Sequence, residues 1–582
     1  VIVNDRLQGG SGSGTGVWIA AGTDNQLTVN ATGSLSALSG VAVRYDGDYG
    51  TSRGSRLNID NFGTLQGSVL CSNADGSTGC TLTNHTGAVA SNAQTYNANV
   101  RNDGLLVIGR PGQFDTLAVT GNLTQSSSGV LRADVDFDQG RASRLVVQGD
   151  ANLAGSVDVL PRALLPAREL SVLTVQGTSQ GSLAALDSPV FNYETRTVGQ
   201  DTRLRVASAD FNAPALGLKE NQRNVASHLQ RIWDGGGNSA LAPLFAQLDL
   251  ASRQGAQAYR NSVATLSPGV TIAPAAQSAA NLAQFTGAMM SCPTFTGADA
   301  LTREQNCAWG LVTGRSMKQD GGKGVSGFDF DTVTYQFGGQ REVRPGWFVG
   351  GSAAYQNNHL RGSDRRTSGN GDSGYLGALL KRETGPWVFA AALGAGYGSY
   401  KMDREIDIAG YQDKLESRPD VYGVNARLRA ARFFAIRDDM YVKPYVDLDA
   451  SYTKMPGYKE SGSNPLALSV RDADQFIVGL SPMIEFGGRK ELSNKAMLRP
   501  FVYAGVTFLS RNDWKSSARL RGAPGGAAAF DTSLPMDNVV GKVGAGLQIT
   551  QAGKADFRLQ YDGQFGQKTR SNSATLKVMV PF

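Results

Sequence analysis

The chain has 582 residues, 72 of them glycine, with 41% hydrophobic residues and a formal net charge of +6. That length exceeds one ordinary compact core, and so much glycine in a chain this apolar points to extended β architecture with many turns. The basic residues are scattered rather than gathered into one patch, which excludes a nucleic-acid reader, and no run approaches the ~18 uninterrupted apolar residues of a membrane helix.

The chain opens at Val1 without methionine or a charged-then-apolar leader, so either a signal peptide has been removed or a longer protein continues upstream. A short phrase then recurs: Asn30-Ala-Thr-Gly33-Ser-Leu35, Asn61-Phe-Gly63-Thr-Leu65, Asn84-His-Thr-Gly87-Ala-Val89 and Asn102-Asp-Gly104-Leu-Leu106. Asparagine and glycine suit corners, and the aliphatic residue that follows is expected to point into a stacked core. A rung of this kind cannot bury its apolar face alone, which predicts a right-handed parallel β-helix over residues 1–113. Short strands separated by turns, such as Leu117-Ala-Val119 and Gly155-Ser-Val157-Asp-Val159, predict the last rungs and a cap over 114–212.

Cysteines fall into two close pairs, Cys71 with Cys80 and Cys292 with Cys307, without the ligand spacing or histidines of a zinc site. Two small disulfide loops are expected, which fits an oxidising compartment. The first loop has Asp75-Gly76 at its tip.

Helical spacing takes over in an α-helical linker over 213–306. Val225, Leu229 and Ile232 share one face and Leu241, Leu244, Phe245 and Leu248 another, with a break at Gly235-Gly-Gly237. A second helix is predicted over 274–290, where Pro274 suits the first turn and the body is mostly small residues. At ~1.5 Å per residue it reaches roughly 25 Å, the height of the apolar band of an outer-membrane barrel, so it is long enough to thread a lumen.

Residues 307–582 carry twelve segments in which apolar residues alternate with others, near 307–317, 328–343, 346–358, 372–383, 386–402, 419–434, 440–454, 474–487, 496–510, 536–551, 554–566 and 571–582. This predicts a 12-stranded antiparallel transmembrane β-barrel, with lipid on one face and a lumen on the other. Tyr422, Val424, Ala426 and Leu428 are assigned outward, with Asn425, Arg427 and Arg429 inward. On the next segment Val442, Val446 and Leu448 face out and Lys443, Asp447 and Asp449 face in. The phase is fixed by cost, since a charge at mid-depth on the lipid face loses roughly 2–4 kcal/mol. Arg427, Arg429, Asp447 and Asp449 are therefore expected to form a lumenal ion-pair cluster. Gly394, Gly396, Gly544 and Gly546 are expected to leave room for another backbone. An even strand count puts both barrel ends in the periplasm, with long connections such as Asn512 to Pro535 outside.

No catalytic constellation emerges. Gly371-Asp372-Ser373-Gly374 looks like a protease nucleophile phrase but opens a barrel segment, and His359 has no matching acid phrase. His85, His228 and His359 are scattered, which leaves no metal cluster, and no cofactor is implied.

The order of parts resembles a type Va, monomeric autotransporter of Gram-negative bacteria, of the pertactin-like and AIDA-like type. The likeness rests on Gly121-Asn-Leu123-Thr-Gln125 to Val159, similar to the family's autochaperone region, on Cys307-Ala-Trp309-Gly310, similar to its barrel opening, and on Leu576-Lys-Val578-Met-Val580-Pro-Phe582, similar to its terminal assembly signal. Pro581 departs from the usual residue before the terminus. The resemblance implies type V secretion. The barrel inserts in the outer membrane with the barrel assembly machinery and periplasmic chaperones, the passenger crosses to the cell surface, and the helix stays as a plug. In that scheme Leu576, Val578, Val580 and Phe582 form the recognition edge. Some relatives cut themselves at a lumenal asparagine; Asn281 is available, but their cleaving context is not clearly present. A non-enzymatic passenger, an adhesin or virulence factor with an unknown surface ligand, is favoured over a passive porin and over an enzymatic domain upstream of Val1.

Overall fold

The computed structural model describes all residues except 21, 48–54, 73–78, 291, 295–302, 493–495 and 551–554, so the tip Asp75-Gly76 lies outside the described residues. The chain divides into two compact units. One holds residues 1–217, 229–259 and 523–525, the other 218–228, 260–522 and 526–582.

In the first unit short strands stack in parallel so that equivalent residues fall into columns. One column runs through Val3, Val29, Asn61, Asn84, Asn102, Gln125, Leu153 and Gly181. Another runs through Leu7, Leu35, Leu65, Ala90, Leu106, Leu131, Val157 and Ala185. A third joins Val43, Val69, Tyr96, Val119, Val147 and Val175. The aliphatic members are buried almost throughout, so each rung is stabilised by the rungs on either side of it. This is a parallel β-helix.

The corner asparagines do more than turn the chain. Asn61 Nδ2 donates to Asn84 Oδ1 at 2.7 Å, Asn84 Nδ2 to Asn102 Oδ1 at 2.8 Å, and Asn102 Nδ2 to Gln125 Oε1 at 2.9 Å. All four side chains are buried, and the ladder gives the amide nitrogens of Asn61, Asn84 and Asn102 acceptors that they would otherwise lack inside. Asn30 does not join this column, because Val29 holds its place. Val89 is likewise not the inward residue of its rung: it is half-buried, whereas Ala88 and Ala90 are buried. The corner from Asn84 to Ala90 is longer than that from Asn61 to Leu65, which moves the inward position along the chain.

Parallel pairing crosses residue 113 without a break, since Thr116–Val119 pairs with strands on both sides. The pattern changes instead at the hairpin Phe191–Val198 and Asp201–Ala209, which is antiparallel within itself and to Glu169–Val175 and ends the open ladder. Phe191, Phe211, Trp233 and Phe245 pack edge to face beyond it, with centroids 5.2 to 5.4 Å apart.

Four α-helices follow: α1 Glu220–Asp234, α2 Ala242–Arg253, α3 Ala256–Thr265 and α4 Ala273–Met289. The break after α1 falls at the expected glycines, where Gly236 and Gly237 have φ of +101° and +73°, conformations that glycine adopts without strain.

The second unit is a closed antiparallel barrel. Its strands are β1 Cys307–Gln319, β2 Phe328–Arg344, β3 Trp347–Gly362, β4 Thr367–Thr384, β5 Trp387–Ile408 and β6 Asp420–Arg432. They continue as β7 Met440–Met455, β8 Ala473–Gly488, β9 Met497–Leu509, β10 Val539–Thr550, β11 Asp556–Phe565 and β12 Thr569–Pro581. Each pairs with the next, and β12 returns to β1 in register from Cys307 opposite Pro581 to Gln319 opposite Thr569. The outer face is greasy, with Leu393, Leu428 and Leu559 65%, 54% and 59% exposed. No described helix is long and apolar enough to cross a membrane; the strands supply the apolar surface. The connection between β9 and β10 has its own hairpin, Asp513–Leu520 with Phe530–Pro535, extended by Leu468–Val470.

Candidate functional site: the filled lumen

Helix α4 lies inside the barrel, mainly along β5, β6 and β7. Its fit depends on inward glycines. A Cβ on Gly394 would stand 2.8 Å from Thr286 Cγ2, one on Gly377 2.8 Å from Phe285 Cε1, and one on Gly423 2.5 Å from Leu282 Cδ1. Leu282, Phe285 and Met289 are buried against this wall with Tyr375, Leu379 and Ala392, and burial of each large side chain contributes about 1.5–3 kcal/mol. Polar contacts fix the helix further. Thr286 Oγ1 donates to Asn425 Oδ1 at 2.8 Å, Gln336 Nε2 to the Phe285 carbonyl at 3.1 Å, and Arg315 Nη1 to Asn281 Oδ1 at 3.2 Å.

Two of the four glycines singled out in the sequence serve another purpose. Gly394 faces the helix, and Gly396 faces Tyr375 and Leu282. Gly544 and Gly546 instead accommodate the rings of Tyr503 and Phe501 from β9, at 2.3 Å from a built Cβ. Cross-strand aromatics fill most of the space, and the Leu559 carbonyl of the adjacent strand stands 2.8 Å from the Cβ built on Gly546.

The four charged residues of the expected cluster meet. Arg427 grips Asp449 through Nε and Nη2, both at 2.8 Å, and Arg429 grips Asp447 at 2.6 and 2.7 Å. Both are two-pronged pairs between adjacent strands, the stronger kind of carboxylate contact. Three further groupings carried no sequence signal. Glu485 accepts from Lys443, Arg499 and Tyr441 at 2.8, 2.7 and 2.6 Å. Lys381, fully buried, reaches Glu304 at 2.7 Å. Arg404 holds Glu460 at 2.6 and 2.7 Å.

Cys292 and Cys307 are disulfide-bonded and fasten the segment after α4 to the start of β1, while Cys71 and Cys80 are bonded between two rung strands. On β12, Leu576 and Val580 are exposed on the lipid side with Val578 half-buried between them, and Phe582, just past the strand end, is exposed. Pro581 stands at the strand end opposite Cys307, where a missing ladder donor costs least. The protease-like phrase is split by the strand pleat. Asp372 accepts from Tyr355 on the outer face, and Ser373 meets Tyr400 on the inner one. His359 pairs with Asn370 outside.

Beside α4 the lumen keeps a cavity of ≈ 380 Å³. The helix turns its small residues Ala276, Ala279, Ala280 and Ala283 toward it, and seven basic and five acidic side chains line it. The barrel is thus filled but not solid.

Residues 308–562 match the family model of the Autotransporter beta-domain. The barrel belongs to that family. It sits in the outer membrane and serves type V secretion, with a β-helix as the passenger portion. Among solved structures, the translocator domain of NalP from Neisseria meningitidis is 12% identical, with 54% of this chain and 98% of that one covered and a TM-score of 0.42. The beta domain of Bordetella BrkA is 14% identical over 48% of this chain and 100% of that one, TM-score 0.35. The transport unit of AIDA-I from Escherichia coli is 10% identical over 53% and 98%, TM-score 0.35. A search of the curated proteins finds no match.

Proposed function

We propose that the chain displays its β-helix at the cell surface as an adhesin or other virulence factor, that it acts as a monomer, and that its passenger binds rather than catalyses. Barrel assembly machinery and periplasmic chaperones deliver the barrel to the outer membrane, with Leu576, Val578, Val580 and Phe582 as the edge they recognise. The observation that carries the proposal is the placement of α4: a helix that continues from the passenger portion is seated in glycine-lined contacts within a closed barrel. Stacking of rungs beyond the membrane buries aliphatic columns, so folding opposes backward sliding and drives export without a nucleotide.

Protease added to intact cells expressing the chain behind a signal peptide should digest residues 1–217 and leave the barrel protected. A passenger resistant in intact cells but digested after outer-membrane permeabilisation rejects surface display. Replacing Leu576 and Phe582 by serine should reduce folded barrel in the membrane.

The cavity beside α4 favours one competing reading, a passive porin. A filled barrel gives small or bursting currents in planar bilayers, whereas a porin gives large steady ones. Gly394→Phe, which collides with Thr286, should raise the current of the filled barrel by displacing the helix.

A further inference from the structure

The lipid face of the barrel is finished differently toward its two ends. Toward one, tyrosine hydroxyls on the outer face are satisfied within the protein: Tyr355 donates to Asp372 at 2.5 Å, Tyr397 to Asp420 at 3.1 Å and Tyr561 to Asn572 at 2.6 Å. The opposite rim, which holds both barrel ends and is therefore periplasmic, carries a row of rings and arginines. Trp347 stands opposite Arg382 in register, Arg382 opposite Phe389, and Trp387 opposite Arg432, so the row crosses β3, β4, β5 and β6. The Arg382 guanidinium lies 4.7 Å from the Trp347 ring centre, that of Arg432 5.2 Å from Trp387 and 4.5 Å from Phe434, and the Trp387 and Phe389 rings stack 5.7 Å apart. Both arginines are exposed, and beyond these rings neither has an ion-pair or hydrogen-bond partner among the described residues. The turns below, Pro345-Gly346 and Gly385-Pro386, leave the face open. For a strand tilted by ~40°, Trp387 and Tyr397 on β5 differ in height by roughly 25 Å, the apolar band of such a barrel, which puts the row at headgroup level.

We propose that the periplasmic rim of β3 to β6 is a binding site for anionic phospholipid, with the guanidinium groups of Arg382 and Arg432 donating to headgroup phosphates. The rings hold each planar guanidinium flat by cation–π contact and leave its N–H edges free for the paired hydrogen bonds that phosphate accepts. Two cations and no carboxylate partner make the charge of the row complementary to a lipid of net negative charge rather than to a zwitterionic one. Trp347, Trp387, Phe389 and Phe434 carry the upper acyl chains beneath the phosphates. The inference rests on the barrel spanning the membrane and not on what the passenger binds.

Trp387 reports on this face. With the full chain reconstituted in bilayers, phospholipid brominated high on its acyl chains should quench the emission component that Trp387→Phe removes. The binding ratio of brominated phosphatidylglycerol to brominated phosphatidylcholine, read from that quenching, should favour phosphatidylglycerol by about fivefold for each arginine. Arg382→Gln combined with Arg432→Gln should bring the ratio to one, and Arg570→Gln, at the far end of β12, should leave it as it is in the unaltered protein. Folding of each variant is checked by heat-modifiable migration in gels; if the double variant does not fold, the same ratio in each single variant decides. A ratio of one in the unaltered protein, an unchanged ratio when the arginines are replaced, or an equal fall in Arg570→Gln overturns the proposal. Surface display on cells is a separate readout, so failure here leaves the secretion reading intact.

Discussion

The β-helix and the barrel are both written with a period of two, and they use it in opposite senses. In the β-helix the alternate residues that enter the interior are Leu35, Leu65 and Leu106, all buried. In the barrel the residues that enter are Asn425, Arg427 and Asp449, while Leu428 is 54% exposed outward. Strand geometry is the same in both, so the phase beyond each sheet decides which set goes where: water outside the solenoid, lipid outside the barrel. One interior is therefore held by dispersion and area burial, the other by matched charges around a helix.

The sharpest way to break this contrast is to remove one member of a lumenal pair. Asp449→Ala leaves Arg427, whose side chain is only 7% exposed, with just a 3.9 Å contact to Asp447, and should cost about 3–5 kcal/mol. It should be read as a lower temperature for loss of the heat-resistant barrel form. Arg427→Met combined with Asp449→Leu should recover most of the loss, because no charge is then left alone. A single variant that melts like the unaltered protein would mean that water solvates the pair and that the lumen is not a core.

Truncating one leucine in each region sharpens the same point. Leu106→Ala opens a hole that nothing fills and should cost about 2–5 kcal/mol. Leu428→Ala should cost less than about 1 kcal/mol, since lipid chains take the vacated space and the side chain gains little over lipid in the first place. Hydrogen exchange on the full chain resolves the two regions; equal losses would remove the distinction. Asn84→Ala comes next, at about 1–3 kcal/mol, because Asn102 Oδ1 loses its donor inside the solenoid. Its mark is faster exchange confined to the rungs of Asn61, Asn84 and Asn102.

How far the fold was legible follows from the same physics. Barrel strands and their faces were readable because lipid penalises every wrong phase, and the pairing of Arg427 with Asp449 and Arg429 with Asp447 followed from strand adjacency. In the β-helix no such penalty acts on corner length, so the repeated phrase points to Val89 where Ala90 is the inward residue. Gly544 and Gly546 were read as room for a backbone because a glycine shows only that space is needed, not that Tyr503 and Phe501 fill it. Glu304 with Lys381 and Glu460 with Arg404 stayed hidden because each acid lies outside the twelve barrel strands, with no register relation to its partner strand.

The smallest effect expected lies at the border where parallel pairing gives way to the cap. Asp201 opens the last strand of the cap hairpin and accepts from Thr174 Oγ1 at 2.6 Å and from Arg144 Nη2 at 3.1 Å, tying the hairpin to the last rungs. The Thr174 hydroxyl, with help from Arg144, holds this carboxyl below its usual range. The folded protein thus binds the proton less tightly than the unfolded chain, so the contribution is complete above the usual carboxylate pKa and is lost as pH falls through the lowered folded value. Asp201 is 24% exposed, which with salt screening keeps the effect small. Protection of hairpin amides, corrected for intrinsic rates, should weaken more on acidification in the unaltered chain than in Asp201→Asn, and 1 M salt should narrow the difference. Identical acid profiles for the two proteins would assign the hold on the cap to the aromatic cluster of Phe191, Phe211, Trp233 and Phe245 instead, placing the cap energetically with the apolar columns and leaving matched charges to the barrel alone.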